Sequence, residues 1–185
     1  LGIEIPSREE MREIEASIDD FDRAIKLKPE EEPWHWKRGI SYYYAGRWQE
    51  GRRQFEGYQT VDDNDVENAV WQFLCQARES GLEAARADLL KIRRDTRVPM
   101  MEIYELYAGR LQPEQVLAAA EAGTPSADQR NTRLFYAHLY LGLYYEVSGN
   151  APLAKKHIDM ARAHRIGHYM WNVADVHSKR LESAK

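Results

Sequence analysis

Six histidines are the side chains in this chain best suited to catalysis or metal binding: His35, His138, His157, His164, His168 and His177. His164 and His168 lie four positions apart, but Gly167 between them interrupts the helix that would align their imidazoles. No HExxH motif and no cysteine pair accompanies them. We therefore expect no catalytic residue, no metal ligand and no cofactor.

Two further features have the residue types of a reactive or metal-binding site. The acidic stretch 62–67 resembles half of a calcium-binding loop, but Asn68 stands where such a loop needs glycine and Leu74 where it needs glutamate. Capping of a helix is the better interpretation of that stretch. Cys75 lies within an apolar helical pattern, without a nearby histidine to activate it, and it is the only cysteine. We expect a small core residue without a disulfide partner.

The composition is that of an ordinary globular protein. The chain has 185 residues, of which 43% are hydrophobic and 30% charged, and its formal net charge is −4. This charge argues against nucleic acid as a partner, and we interpret the basic cluster Arg86, Lys91, Arg93, Arg94 and Arg97 as a solvated helix face. The segment 1–15 lacks the features of a signal peptide, so we expect that any export signal was removed or never existed.

The elements that must position these residues are helices. Apolar residues recur at three- and four-residue spacings, interrupted by single glycines and prolines. Ser7 and Glu10 predict a capping box, and Pro29 ends the first helix. We predict an all-α fold in a single domain over 1–185, with helix pairs at 7–28 (a half repeat), 33–61, 65–93, 98–122 and 125–165, and a capping helix at 168–181.

Internal repetition indicates how these helices are arranged. Phe21 and Phe55 are separated by about 34 residues, the length of a tetratricopeptide unit. The clearest copies share small residues, aromatics and turn glycines at matching positions: Gly39, Tyr42, Gly46, Gly51, Phe55 and Tyr58 in one, and Gly142, Tyr145, Gly149, Ala154, Ile158 and Ala161 in the other. We predict a tetratricopeptide-like solenoid of helical hairpins, a right-handed superhelix, with a C-terminal capping helix.

In such a solenoid the first helix of each hairpin lines a concave groove. By spacing from Gly39, the predicted partner-binding residues are Trp36, Ile40, Tyr43, Tyr44, Val70, Leu74, Arg78, Leu139 and Leu143. An apolar and aromatic groove with polar edges suits a helix or an extended peptide. The alternative is that the terminal helix, with Tyr169, Met170, Trp171 and Val173, fills the groove.

Four stretches resemble the NlpI family of tetratricopeptide lipoproteins: KRGISYYYAGR (37–47), DDNDVENAVWQFLCQA (62–77), EIYELYAGRLQPEQVL (102–117) and FYAHLYLGLYYEVSGNAPLAKKHIDMARAHRIGH (135–168). The resemblance implies an exported, lipid-anchored homodimer that acts as an adaptor, bringing substrates or cell-wall hydrolases to a periplasmic protease. The lipid-bearing cysteine and first helices of that family are not in this sequence, so membrane association is expected only through such an anchor.

Three functions are compatible with this sequence. The first is an adaptor or scaffold that binds a protein or peptide partner, in which a few aromatic anchors supply the affinity and no reactive residue is needed. The second is an enzyme, for example a hydrolase that uses a spatial cluster of His and Glu. The third is a purely structural subunit of a larger complex. The usual role of the architecture and the resemblance favour the adaptor.

Overall fold

A computed structural model describes residues 7–183, and within this range every regular element is a helix. The predicted all-α class is therefore confirmed. Residues 1–6, which belong to the segment tested for a signal peptide, lie outside the described range. The helices are α1 Arg8–Leu27, a 3₁₀ helix Pro29–Trp34, α2 Trp36–Tyr44, α3 Trp48–Tyr58, α4 Val66–Ser80, α5 Leu82–Ala87, α6 Met100–Tyr107, α7 Pro113–Glu121, α8 Ala127–Val147, α9 Ala151–Ala163 and α10 Tyr169–Ser183.

The helices form two compact units, one up to Asp95 and one from Thr96 onward. The N-terminal unit contains α1 to α5 with the 3₁₀ helix, and the C-terminal unit contains α6 to α10. The single domain over 1–185 stays a prediction, and each unit is described by itself below.

The N-terminal unit begins with the predicted capping box. The Ser7 hydroxyl accepts a hydrogen bond from the backbone N–H of Glu10, and the Glu10 carboxylate accepts one from the backbone N–H of Ser7. The second helix differs from its prediction, because it does not open at Pro33. Proline has no N–H to donate and disfavours the α conformation in the residue before it. The chain therefore forms the 3₁₀ helix first, and α2 begins only at Trp36.

Glycines allow α2, α3 and α4 to approach one another closely. A Cβ atom on Gly39 of α2 would lie 2.6 Å from the Phe55 ring of α3, and one on Gly51 of α3 would lie 2.9 Å from the Cys75 sulfur of α4. Phe55 and Cys75 are themselves buried. The prediction that small residues mark a close helix crossing is confirmed at Gly39, and the prediction that Cys75 is a core residue is confirmed as well.

The next helix pair is shorter than predicted. Asp65 caps α4 by accepting a hydrogen bond from the N–H of Glu67, and Gly81 ends it with a φ of 89°. The partner helix α5 ends at Ala87 and does not continue to Ile92. Instead the following segment packs as irregular chain, where the Asp95 carboxylate accepts a hydrogen bond from the N–H of Val66 at the start of α4.

The C-terminal unit contains the predicted short hairpin, α6 and α7, followed by the long hairpin α8 and α9. Ser126 forms a capping box at the start of α8, and the Asn150 side chain caps α9. A Cβ atom on Gly142 would lie 2.6 Å from the Ile158 side chain. The helix crossing predicted at Gly142 is therefore confirmed.

The last helix, α10, packs against α9. Its side chains Met170 and Val173 are buried, and the Trp171 indole N–H donates a 3.0 Å hydrogen bond to the carbonyl oxygen of Arg162. Met170 and Val173 of the predicted capping helix thus belong to the core, while Trp171 is half-buried against α9. No helix within 7–183 is both long enough and apolar enough to cross a membrane.

Candidate functional site

The N-terminal unit contains a cavity of about 340 Å³ between the 3₁₀ helix, α2 and α3. Its size falls at the lower end of the range of ligand-binding pockets. Half of the lining side chains are charged, which is unusual for a packing defect in a core. The lining residues are Glu32, Pro33, Arg38, Tyr42, Glu50, Arg53, Gln54 and Gly57.

A buried arginine is fixed in one wall of this cavity. The Arg38 guanidinium donates from Nε to Gln54 Oε1 (2.7 Å), from Nη1 to Asp22 (2.7 Å) and from Nη2 to Glu32 (2.6 Å). Burial lowers the pKa of Arg38, but the hydrogen bonds to Glu32 and Asp22 more than offset this and leave the pKa raised. Arg38 is therefore a permanent cation that joins α1, the 3₁₀ helix and α3.

Tyr42 lies between two arginines on the same side of the unit. The guanidinium carbons of Arg38 and Arg47 are 5.5 Å and 4.6 Å from the centre of its ring. Desolvation by burial raises the pKa of Tyr42, so its hydroxyl stays protonated and can donate a hydrogen bond. Arg47 in turn donates from Nε to Glu50 at 3.0 Å. Burial would raise the pKa of Glu50, but its backbone hydrogen bond and Arg47 lower it.

An exposed tryptophan follows one of the lining segments of the cavity along the chain. Trp34 follows the lining residue Pro33, and its ring meets the Tyr58 ring edge to face at 6.0 Å, while Tyr58 follows the lining residue Gly57. Trp34 is 54% exposed. Large exposed aromatics beside a pocket are typical anchors for a protein partner.

The predicted partner-binding residues are for the most part inaccessible. Seven of them are less than a tenth exposed: Ile40, Tyr43, Tyr44, Val70, Leu74, Leu139 and Leu143. These seven side chains are buried and so do not line an open groove. Trp36 and Arg78 are half-buried and keep part of their surface in solvent. Whether any of the nine contacts a partner stays a prediction.

The tyrosines of α2 illustrate this packing. The Tyr43 ring lies edge to face against Tyr44 and Trp71, each at 5.4 Å between centroids, and its hydroxyl accepts a 3.1 Å hydrogen bond from Arg78 Nε. The three aromatic rings therefore contact one another and not solvent. The crowding of aromatic residues on α2 forms a core between α2 and α4.

The C-terminal unit brings three of the histidines together between α8 and α9. Nδ1 of His138 and Nδ1 of His157 are 2.9 Å apart, so one ring donates to the other. The His164 ring stacks parallel to His138 with centroids 5.9 Å apart, and its Nδ1 lies 3.0 Å from the side-chain oxygen of Asn131. The Tyr145 ring stacks on His157 from the other side, at 5.4 Å.

Burial favours the uncharged form of the three histidines in this cluster. Desolvation, followed by the charges of His157, His164 and Lys156, lowers the pKa of His138 to about 4. The pKa of His157 is lowered by desolvation and by Lys156, and that of His164 by desolvation and by Arg130. Within residues 7–183 no group of three or more His, Cys, Asp or Glu side chains is arranged to hold a metal ion.

Three further candidates from the sequence lie beside a carboxylate, and Cys75 is buried. His177 Nε2 lies 3.3 Å from the Glu146 carboxylate, and both groups are largely buried. Burial raises the pKa of the Cys75 thiol well above its ordinary value, which disfavours the reactive thiolate. In the basic cluster Arg93 pairs with Asp63 at 3.2 Å, and Arg86 lies 2.7 Å from Glu83.

The residues that form the cavity were not predicted as functional from the sequence. Arg38 and Gln54 each precede a packing residue, Gly39 and Phe55. A polar residue directly beside a helix-crossing position is the sequence signal that could have identified them. Gly57 is a helix glycine at a position where the repeat pattern requires no small residue. Comparison with known protein families finds no family model that matches this chain.

Proposed function

We propose that this chain is a binding adaptor that holds another protein or peptide at the cavity and at Trp34 beside it. The observation that carries this proposal is an open cavity, half of whose lining residues are charged, with a tryptophan next to its lining residue Pro33 whose surface is more than half exposed. Apolar anchors beside hydrogen-bonding groups are the combination that peptide-binding surfaces use.

The paired-helix crossings support a finer proposal for the architecture. Gly39 meets Phe55, and Gly142 meets Ile158, at the same separation along the chain and with the same 2.6 Å clearance for a missing Cβ. We therefore propose that these hairpins are tetratricopeptide-type units. The sequence blocks that resemble the NlpI family add a homodimeric, periplasmic adaptor to the proposal, one that recruits clients to a protease or a cell-envelope hydrolase.

Partner capture with mapped crosslinks tests this function. Trp34→Ala removes the exposed anchor, and Leu27→Ala serves as a matched control because Leu27 is also exposed and belongs to the same unit. We expect crosslinked partner peptides to map to the cavity and its edge in the native protein. Trp34→Ala should weaken binding about 30-fold, which corresponds to an anchor of about 2 kcal/mol, and Leu27→Ala should not.

Two results would argue against this function. If Trp34→Ala and Leu27→Ala bind the partner equally well, the edge of the cavity is not the contact surface. If crosslinks map only to residues outside the N-terminal unit, the cavity is not the site. In both variants the far-ultraviolet helical signal must equal that of the native chain, so that loss of binding is not loss of fold.

A hydrolase is the second candidate, and the buried His177–Glu146 pair is the observation that favours it. A histidine oriented by a carboxylate can act as a general base. A broad hydrolase screen on the purified chain, run in parallel on the Glu146→Gln variant, tests whether the chain is a hydrolase that uses this pair. Reproducible turnover that this substitution abolishes would replace the adaptor as the proposed function.

A further inference from the structure

Gly57 differs from the other glycines that lie within helices of this chain. A Cβ atom on Gly39, Gly51 or Gly142 would come within 2.6–2.9 Å of a neighbouring side chain, whereas one on Gly57 would meet nothing within 4 Å. Gly57 also has no positive φ, so its backbone does not require glycine. Glycine in a helix costs about 0.5–1 kcal/mol relative to alanine. Packing and backbone geometry therefore do not explain this residue.

The position of Gly57 suggests what the missing side chain permits. Gly57 lines the cavity at the last turn of α3. A methyl group there would project into the open space at the wall of the cavity. Glycine is the residue that lets another backbone approach closely. The absence of a side chain at Gly57 leaves space over the end of α3 that another backbone can enter.

The charged groups of the cavity are not equally available to a ligand. Glu32 is bound by Arg38, and Glu50 is bound by Arg47. Arg53 acts electrostatically on Glu50, but it forms no ion pair or hydrogen bond with another residue in the range 7–183. The guanidinium of Arg53 is therefore the lining cation with all of its donors available.

Tyr42 supplies a second available donor. Its hydroxyl stays protonated, and within the described part of the chain it has no hydrogen-bond partner. Arg53 and Tyr42 both line the cavity, so a guanidinium and a phenol donor are present in one pocket. A carboxylate has two oxygens that suit this pair, and an arginine binds it with two parallel hydrogen bonds.

We propose that the cavity binds a carboxylate of an extended peptide, which pairs with Arg53 and accepts a hydrogen bond from Tyr42, while the peptide backbone crosses Gly57. This inference rests on the proposed adaptor function and names the chemistry of its ligand. The carboxylate belongs either to an acidic side chain or to a peptide C-terminus. Both would make the same interactions with Arg53 and Tyr42.

Titration of the ¹⁵N-labelled chain with three short peptides tests the inference. The probes are acetyl-AAEAAA-amide, its glutamine counterpart acetyl-AAQAAA-amide, and acetyl-AAAAAA with a free C-terminal carboxylate. We expect shifts of the Arg53 side-chain and Gly57 backbone signals with a carboxylate probe, and about tenfold weaker binding of the glutamine probe. The acidic side chain and the free C-terminus are distinguished by which of the two carboxylate probes binds.

Two substitutions make the test specific. Arg53→Gln should abolish the preference for a carboxylate, whereas Arg23→Gln, an exposed arginine of the same unit, should not. Gly57→Ala should weaken binding at least fivefold without lowering the midpoint of unfolding, because alanine is the better helix former. A loss of binding with a raised or unchanged midpoint separates steric blocking from unfolding.

The outcomes separate this inference from the adaptor function. Binding of the glutamine probe as tightly as both carboxylate probes would overturn the carboxylate inference and leave a peptide site. No shift at Arg53 or Gly57 with any probe at concentrations on the order of 10 mM, together with Trp34-dependent capture of a partner, would overturn the cavity as a peptide site and leave the adaptor. Unchanged affinity of Gly57→Ala would refute the proposed path of the backbone.

Discussion

Acidification tests the histidine cluster of the C-terminal unit. Because burial lowers the pKa of His138 from 6.5 to about 4, the unfolded chain binds a proton that the folded chain excludes. The contribution of the neutral His138 to the free energy of unfolding is therefore complete above pH 6.5 and is lost as the pH falls from 6.5 to 4. The lowered pKa values of His157 and His164 act in the same direction.

The expected magnitude follows from the pKa difference of His138. A displacement from 6.5 to about 4 corresponds to about 3 kcal/mol when the titration is complete. At pH 5 about 2 kcal/mol of stability is lost relative to pH 8. Protonation of both rings also removes the acceptor in the 2.9 Å contact between His138 and His157. This loss is large against the net stability of a small folded unit.

Urea unfolding at pH 8 and pH 5, combined with NMR titration of the His138 ring, measures the effect. The variant His138→Leu with His157→Leu removes both rings, so neither is left as an unpaired buried group. The stability difference between the two pH values should shrink by at least about 2 kcal/mol in this variant, because His157 contributes in the same direction as His138. A His138 ring that titrates near pH 6.5 would refute the reasoning.

Two further predictions concern packing. Gly142→Ala should destabilise the C-terminal unit by about 1–3 kcal/mol, because the added methyl group would lie 2.6 Å from the Ile158 side chain and 3.1 Å from its backbone nitrogen. Thermal unfolding measures this loss, and Gly167→Ala, where the methyl group meets nothing within 4 Å, is the control. Cys75 should resist an aromatic disulfide reagent in the native protein and react fully in denaturant, since its thiol is buried and has a raised pKa. Equal stability of the two glycine variants, or rapid native labelling of Cys75, would contradict these expectations.

The sequence predicted the helices well because the signals for them are local. The capping residues Ser7 and Asp65 and the turn residue Gly81 act on the backbone within a few positions, so their effects do not depend on the rest of the fold. Two predictions were wrong. The helix does not open at Pro33, for the local reason that proline disfavours the α conformation in the residue before it, whereas the end of α5 at Ala87 instead of Ile92 depends on contacts with other elements. Such contacts cannot be deduced from neighbouring residues alone.

The sequence by itself determined the all-α class, the main helix boundaries and the glycines at the helix crossings, because periodicity and steric size are properties of the residue order. Only the tertiary structure decided which side chains are accessible. It buried Ile40 and Tyr43 and left Trp34 exposed. It also placed Arg53 without an ion pair within residues 7–183. Exposure and pairing depend on which helices pack against a given face, and that is set by all of the contacts in a unit together.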